Sequence, residues 1–197
     1  MDNILITNQE AIVKKAMEYV PILKEIYQLH GGNAMIQYAH EQCQEMLDKR
    51  NLFEETSCKG SCSFCCHDTI MMPKLEAEYI KAILKLNNLI PDPTRSKLQQ
   101  ELPKESLNFM ARACPLLADE NEEGKRLCSI YEARPLVCRT HTSLSESKFC
   151  NRAEYPNAIV QEVRMLETEA ITFAIVILEQ QLGFHKLIPD FVPMHNL

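Results

Sequence analysis

Residues 58–67 read Cys-Lys-Gly-Ser-Cys-Ser-Phe-Cys-Cys-His, so four thiols fall within one short stretch of the chain. Four more cysteines follow at a looser spacing, at positions 114, 128, 138 and 150. Neither stretch has a helical or strand period. The segment from 114 to 150 is also far longer than the roughly 12–15 irregular residues that compact domains usually tolerate. Some interaction besides apolar packing must therefore order both stretches.

The clustered thiols predict a metal centre. Cysteines two or three residues apart converge when a short loop folds back, and Gly60 allows the positive φ that such a loop often needs. Soft sulfur ligands select zinc, copper(I) or iron–sulfur clusters. Two arrangements stay open, namely two four-thiolate zinc sites or one iron–sulfur cluster that uses four thiols. The predicted ligands are Cys58, Cys62, Cys65, Cys66, Cys114, Cys128, Cys138 and Cys150.

Two histidines and two arginines lie close to these cysteines in sequence. His67 and His141 are candidates for one corner of a metal site, and a surface or hydrogen-bonding role is the alternative for each. Arg134 and Arg139 flank Cys138 and have two interpretations. In the first interpretation, they contact an anionic substrate or tune the centre through hydrogen bonds near its sulfurs. Otherwise they form ion pairs with helix carboxylates, such as those of Glu76 and Glu132.

The remainder of the chain predicts helices. Thr7 and Glu10 form a capping box for the first helix, which Pro21 kinks or divides and which ends at Gly31-Gly32. Asn33 caps the next helix, whose predicted buried face is Met35, Ala39, Cys43 and Met46, so that Cys43 is a core residue and not a ligand.

Proline residues mark the later helices. After Pro73 a helix is predicted with Leu75, Tyr79, Ile80, Ile83 and Leu86 on one face, where Glu76 favours the helix dipole. A weaker helical segment runs from Thr94 to Ala113 with an interruption at Pro103. The longest predicted helix runs from Pro156 to Gly183. Its predicted inward residues are Ile159, Val163, Leu166, Ala170, Phe173, Ile177 and Leu178. The stretch 171–178 is apolar on nearly every side, as in a central core helix or a partner interface.

The predicted fold class is mainly α, a compact helical domain with two irregular cysteine-rich metal-binding insertions. The length of 197 residues favours a single domain, 1–197. Its predicted parts are N-terminal helices in 1–56, the cysteine-cluster region in 57–150 and a long C-terminal core helix in 155–183.

Composition excludes several function classes. The 27 acidic residues exceed the 21 basic ones, which argues against a nucleic-acid partner. The five glycines form no dinucleotide-binding or P-loop motif. The apolar stretch 170–178 is too short to cross a membrane, and no signal peptide is evident. We therefore expect a cytoplasmic protein without membrane contact, whose thiols stay reduced.

These motifs resemble the CxxCxxCC cysteine-cluster family, which is regarded as zinc- or iron-chelating. The resemblance rests on residues 57–67 and, in the second half, on Cys114-Pro-Leu-Leu, Cys128-Ser-Ile-Tyr-Glu, 134–139 and Cys150. It covers about half the chain, and the first spacing is C-x3-C here instead of C-x2-C. The resemblance implies a metal-binding protein. Flagellin lysine methylases carry a similar cysteine cluster, which favours a 4Fe–4S centre over zinc.

Three alternative functions stay open, of which one is an iron–sulfur enzyme related to the flagellin lysine methylases. The spacing Cys58-x3-Cys62-x2-Cys65 coincides with the radical-SAM signature, although that chemistry normally sits on a barrel of alternating strands and helices. A zinc-stabilised interaction module without catalysis would instead meet a protein partner through the apolar C-terminal helix. No nucleophile–base pair is evident, so the sequence identifies no catalytic residue.

Overall fold

In the computed structural model, residues 9–58, 62–184 and 191–197 are described. Within them the chain is mainly α, as predicted, with irregular backbone around the cysteines. The α-helices are α1 (Gln9–Lys49), α2 (Leu52–Glu55), α3 (Lys74–Leu86), α4 (Pro93–Glu101), α5 (Leu136–Thr140) and α6 (Leu166–Gln181). The strands are β1 (Met71–Met72), β2 (Thr142–Ser143), β3 (Glu162–Val163) and β4 (Val192–Pro193). β1 pairs with β4 and β2 with β3, both antiparallel.

Helix α1 is divided by a kink at Gly31. This residue has φ 84° and ψ 176°, which a helix cannot contain, while the helix continues through Pro21. The break predicted at Gly31-Gly32 is therefore confirmed. The predicted cap at Thr7 lies outside the described residues.

The main core lies between α1 and α6. On α1 the predicted inward residues Met35, Ala39 and Cys43 are fully buried, and Met46 is partly buried against them. On α6 the buried residues include Ala170, Ile171, Ala174, Ile175 and Leu178. Each large apolar side chain that is buried here contributes about 1.5–3 kcal/mol of hydrophobic stabilisation. The apolar stretch of α6 thus serves the core, which leaves it little surface for a partner.

The prediction of a helix from Pro156 to Gly183 is wrong in its first third. Helix α6 begins only at Leu166, and α1 is the longest helix. Ile159 is 94% exposed in irregular backbone, and Phe173 is 38% exposed. Val163 is buried, but it lies in β3 and not in a helix. It pairs there with Thr142 of β2, next to the pair of Glu162 and Ser143. The predicted stop is confirmed, since Gly183 follows the helix with φ 81°.

Helix α3 begins directly after Pro73, as predicted, and joins a second core. Ile80 and Leu84 are buried, whereas Leu86 is 77% exposed, so the prediction that Leu86 faces inward is wrong. Leu84 occupies that face because it follows Ile80 by one helical turn. The second core contains Cys114, Leu116, Leu117, Ile130 and Met194 besides residues of α3.

Only short strands are present in the described residues, and they do not alternate with the helices. The barrel that the radical-SAM alternative requires is therefore not found in this part of the chain.

Candidate metal centre

Backbone hydrogen bonds join the cysteine-bearing segments. Cys65 and Cys66 lie in a 3₁₀ turn, Phe64–His67, and the Cys66 carbonyl accepts the Cys114 N–H at 2.6 Å. Cys128 forms an isolated bridge with Leu117. The structure thereby brings the first cysteine cluster next to the start of the second.

Helix α5 and a further 3₁₀ turn carry the other two thiols of the second cluster. Cys138 lies in α5, and Cys150 ends the 3₁₀ turn Ser147–Cys150. Helix α5 was not predicted from the sequence, because five residues complete little more than one helical turn.

The charge of Cys65 affects thiols of both clusters. Burial is the largest cause of the raised pKa of Cys62, Cys128, Cys138 and Cys150, and the charge of Cys65 is a further cause in all four. The structure thus brings thiols from both clusters within electrostatic range of one another.

Cys66 and Cys58 complete the array. A hydrogen bond with Cys65 is the largest cause of the raised pKa of Cys66, and the charges of Cys114 and Cys138 raise this pKa further. Burial, followed by the charges of Cys62 and Cys58, raises the pKa of Cys150 to about 11. All eight predicted ligands are therefore coupled, directly or through a neighbour.

Cys43 stands apart from this array, as predicted. It is fully buried in the main core, and burial raises the pKa of its thiol to about 12. The other groups that shift this pKa are Arg139 and Glu76, and no cysteine is among them.

Three thiols accept a hydrogen bond from the backbone two residues further on. The Leu116 N–H lies 3.4 Å from the sulfur of Cys114, and the N–H groups of Phe64 and Ile130 bond to the sulfurs of Cys62 and Cys128. In each case this hydrogen bond lowers the thiol pKa against the larger effect of burial. Such donors stabilise the thiolate, which is the form that binds a metal.

Burial keeps the unligated thiols protonated. It raises the pKa of Cys114 to about 11 and that of Cys138 well above its ordinary value. A bound cation would replace these protons and offset the thiolate charges. In the described part of the chain, no three His, Cys, Asp or Glu side chains already stand in a geometry that holds a metal ion. Their role as ligands therefore stays a prediction.

His67 has the predicted hydrogen-bonding role. It is 1% exposed, its ring packs against Phe109, and Nδ1 lies 3.2 Å from the Ser63 carbonyl and 3.3 Å from that of Phe64. Burial lowers its pKa, so the ring is neutral and Nδ1 donates. Nε2 has no hydrogen-bond partner among the described residues. His141 directly follows α5 and is half-buried.

Arg134 lies beside the thiols. Its guanidinium stacks on the Tyr131 ring at 3.8 Å, and Nη1 donates to the Tyr131 carbonyl at 2.9 Å. A hydrogen bond with Cys66 is the main cause of the lowered pKa of Cys65, and the Arg134 charge lowers that pKa further. The same charge opposes the effect of burial at Cys128. This arrangement supports the interpretation in which Arg134 tunes the centre.

The ion pairs predicted for Arg134 and Arg139 are not found in the described residues. Arg139 instead donates to the Gln44 side-chain oxygen at 2.8 Å and to the backbone carbonyl of Glu132. Carbonyl oxygens thus take the place of carboxylates as partners of both guanidinium groups, while the buried Nε of Arg139 has no hydrogen-bond partner among the described residues.

Glu76 has a structural role that the sequence analysis missed. It lies in the first turn of α3, as predicted, but its carboxylate is 1% exposed and bonds to His40 and to the backbone of Leu136. In the sequence, the available signal was a charged residue between two apolar ones, Leu75 and Ala77. Both are buried in the structure, and a carboxylate buried with them is almost always paired.

Comparison with known proteins identifies the family. Residues 57–157, just over half of the chain, match the CxxCxxCC family, described as a "Putative zinc- or iron-chelating domain". The chain belongs to this family, and the predicted resemblance is confirmed. Comparisons with curated proteins and with solved structures gave no match. Across 9–58, 62–184 and 191–197, the helices are too short or too polar to span a bilayer.

Proposed function

We propose that the protein holds an iron–sulfur centre, of the 4Fe–4S type, through its clustered cysteines. The coupling of Cys65 carries this proposal. The charge of its thiol acts on Cys62 of the first cluster and on Cys128, Cys138 and Cys150 of the second. The charges of these thiols act on one another across both cysteine clusters, which suits one shared polynuclear centre better than two separate zinc ions, since zinc ions would divide the thiols into independent sets of four.

The chemistry of the donors supports a thiolate-bound metal. Eight soft sulfur donors are available, and three of them accept backbone N–H groups. The positive charge of Arg134 lies where it would offset the negative charge of the ligands. Hydrogen bonds to sulfur and nearby charge are the means by which proteins tune the potential of such clusters.

No disulfide joins the cysteines in the part of the chain that the structure describes. A thiolate centre needs the ligands in this reduced form. We therefore place the protein in a reducing compartment, the cytoplasm, where disulfides rarely persist.

Elemental analysis of the full chain, purified without oxygen, tests the proposal. We expect iron and acid-labile sulfide in equal amounts, together with broad visible absorption. A colourless protein with about two zinc ions, the number that two four-thiolate sites would hold, contradicts the iron–sulfur form. Iron and zinc both far below one equivalent contradict metal binding altogether.

A further inference from the structure

One buried carboxylate oxygen joins three helices. Oε1 of Glu76, on α3, lies 2.8 Å from Nε2 of His40 on α1 and 2.8 Å from the backbone nitrogen of Leu136 on α5. A carboxylate only accepts hydrogen bonds, so both neighbours donate to it. The His40 ring also packs edge-on against Tyr79, at 5.4 Å between ring centroids, which fixes its orientation.

Helix α5 depends on such contacts for its position. It has only five residues, and a helix this short has little stability of its own. Its first-turn N–H groups have no partner within the helix, and Glu76 satisfies the one at Leu136. Three residues further on, Arg139 reaches Gln44 of α1. Cys138 lies between these two attachments.

We propose that Glu76, oriented by His40, is a positioning residue that sets where the Cys138 sulfur sits in the metal centre. The inference rests on the proposed function, because it requires Cys138 to be a ligand. Glu76 itself does not touch the metal. Groups that orient ligands in this way typically change metal affinity by about 10–100-fold when they are removed.

The test measures how fast the metal of the full-length protein passes to excess EDTA. Removal of the carboxylate in Glu76→Ala should accelerate the release by about 10–100-fold. Glu76→Gln keeps a carbonyl oxygen that accepts the Leu136 N–H, so it should restore a rate close to that of the wild type. Ile175→Ala is the control, since it opens a cavity in the main core, which contains none of the predicted ligands, and should lower Tm without accelerating the release.

Equal release rates for Glu76→Ala and Ile175→Ala would overturn the inference, as would a failure of Glu76→Gln to restore the rate. If Glu76→Ala does not fold, His40→Phe replaces it, because the phenyl ring keeps the packing on Tyr79 and removes only the hydrogen bond. This variant should also release metal faster than Ile175→Ala, and an equal rate would again overturn the inference. Wild-type protein without iron or zinc would instead show that the proposed function has failed.

Discussion

Replacing Cys114 or Cys43 by alanine should cost about the same in packing, but only the Cys114 substitution should lower the metal content. Both residues are buried, Cys114 at 6% exposure in the second core and Cys43 at 0% in the main core. Each substitution removes one sulfur atom. The lost transfer free energy is about that of one methylene, ~0.8 kcal/mol, and the remaining cavity brings the expected cost to about 1–2 kcal/mol. For a chain of this size, Tm should fall by about 2–4 °C for each kcal/mol.

The measurement pairs calorimetric Tm with iron and zinc content on protein purified without oxygen. Cys43→Ala should lose stability and keep the metal of the wild type, because its thiol is outside the array. Cys114→Ala should lose metal, since the centre loses a ligand, and its Tm should fall further because bound metal stabilises the folded state. Equal metal content in the two variants would refute the assignment of ligands.

Two further predictions concern stability. Gly31→Ala should lower the free energy of unfolding by about 1–3 kcal/mol, because φ 84° with ψ 176° is essentially restricted to glycine. Urea unfolding measures this, and a change under about 0.5 kcal/mol would contradict the prediction. The folded-state pKa of Cys43, raised to about 12, means that the contribution of this thiol is fully present below its unfolded pKa and is lost as the pH rises toward 12. Between about pH 9 and 11 the free energy of unfolding of the wild type should therefore fall faster than that of Cys43→Ala, by up to about 1.4 kcal/mol per pH unit. Parallel curves of unfolding free energy against pH for the two proteins would contradict the buried position of the thiol.

The helices that the sequence predicted correctly are those with local signals. The break in α1 needed Gly31, and the start of α3 needed Pro73, and both residues act through their own backbone geometry. Leu86 and the stretch before Leu166 were assigned wrongly because their apolar spacing fits a helix face, while the tertiary structure places other residues there. Glu162, for example, pairs with Ser143 across the chain, which no local period reveals.

In the candidate site too, the features with a local sequence signal could be predicted and those set by tertiary contacts could not. The prediction of the eight thiols as ligands came from their spacing alone, since reduced cysteines that cluster in irregular backbone usually hold a metal, and it stays a prediction. The groups around them were not, because their partners are distant in sequence. Arg134 stacks on Tyr131, whereas an ion pair was one of its two interpretations, and Glu76 bonds to Leu136, which is sixty positions away. Such contacts depend on how the segments pack.

The two cores depend on the thiols to different extents. The main core, between α1 and α6, contains none of the predicted ligands, whereas the second core includes Cys66, Cys114 and Cys128 among its packed residues. In the second core, metal binding would replace protons on thiols whose pKa burial has raised, so that ordering the cysteine region is coupled to metal and to pH. The α1–α6 core gains its stability from apolar burial and contains none of the predicted ligands, so it has no such coupling to metal. Loss of metal should therefore loosen the cysteine region while α1 and α6 stay packed.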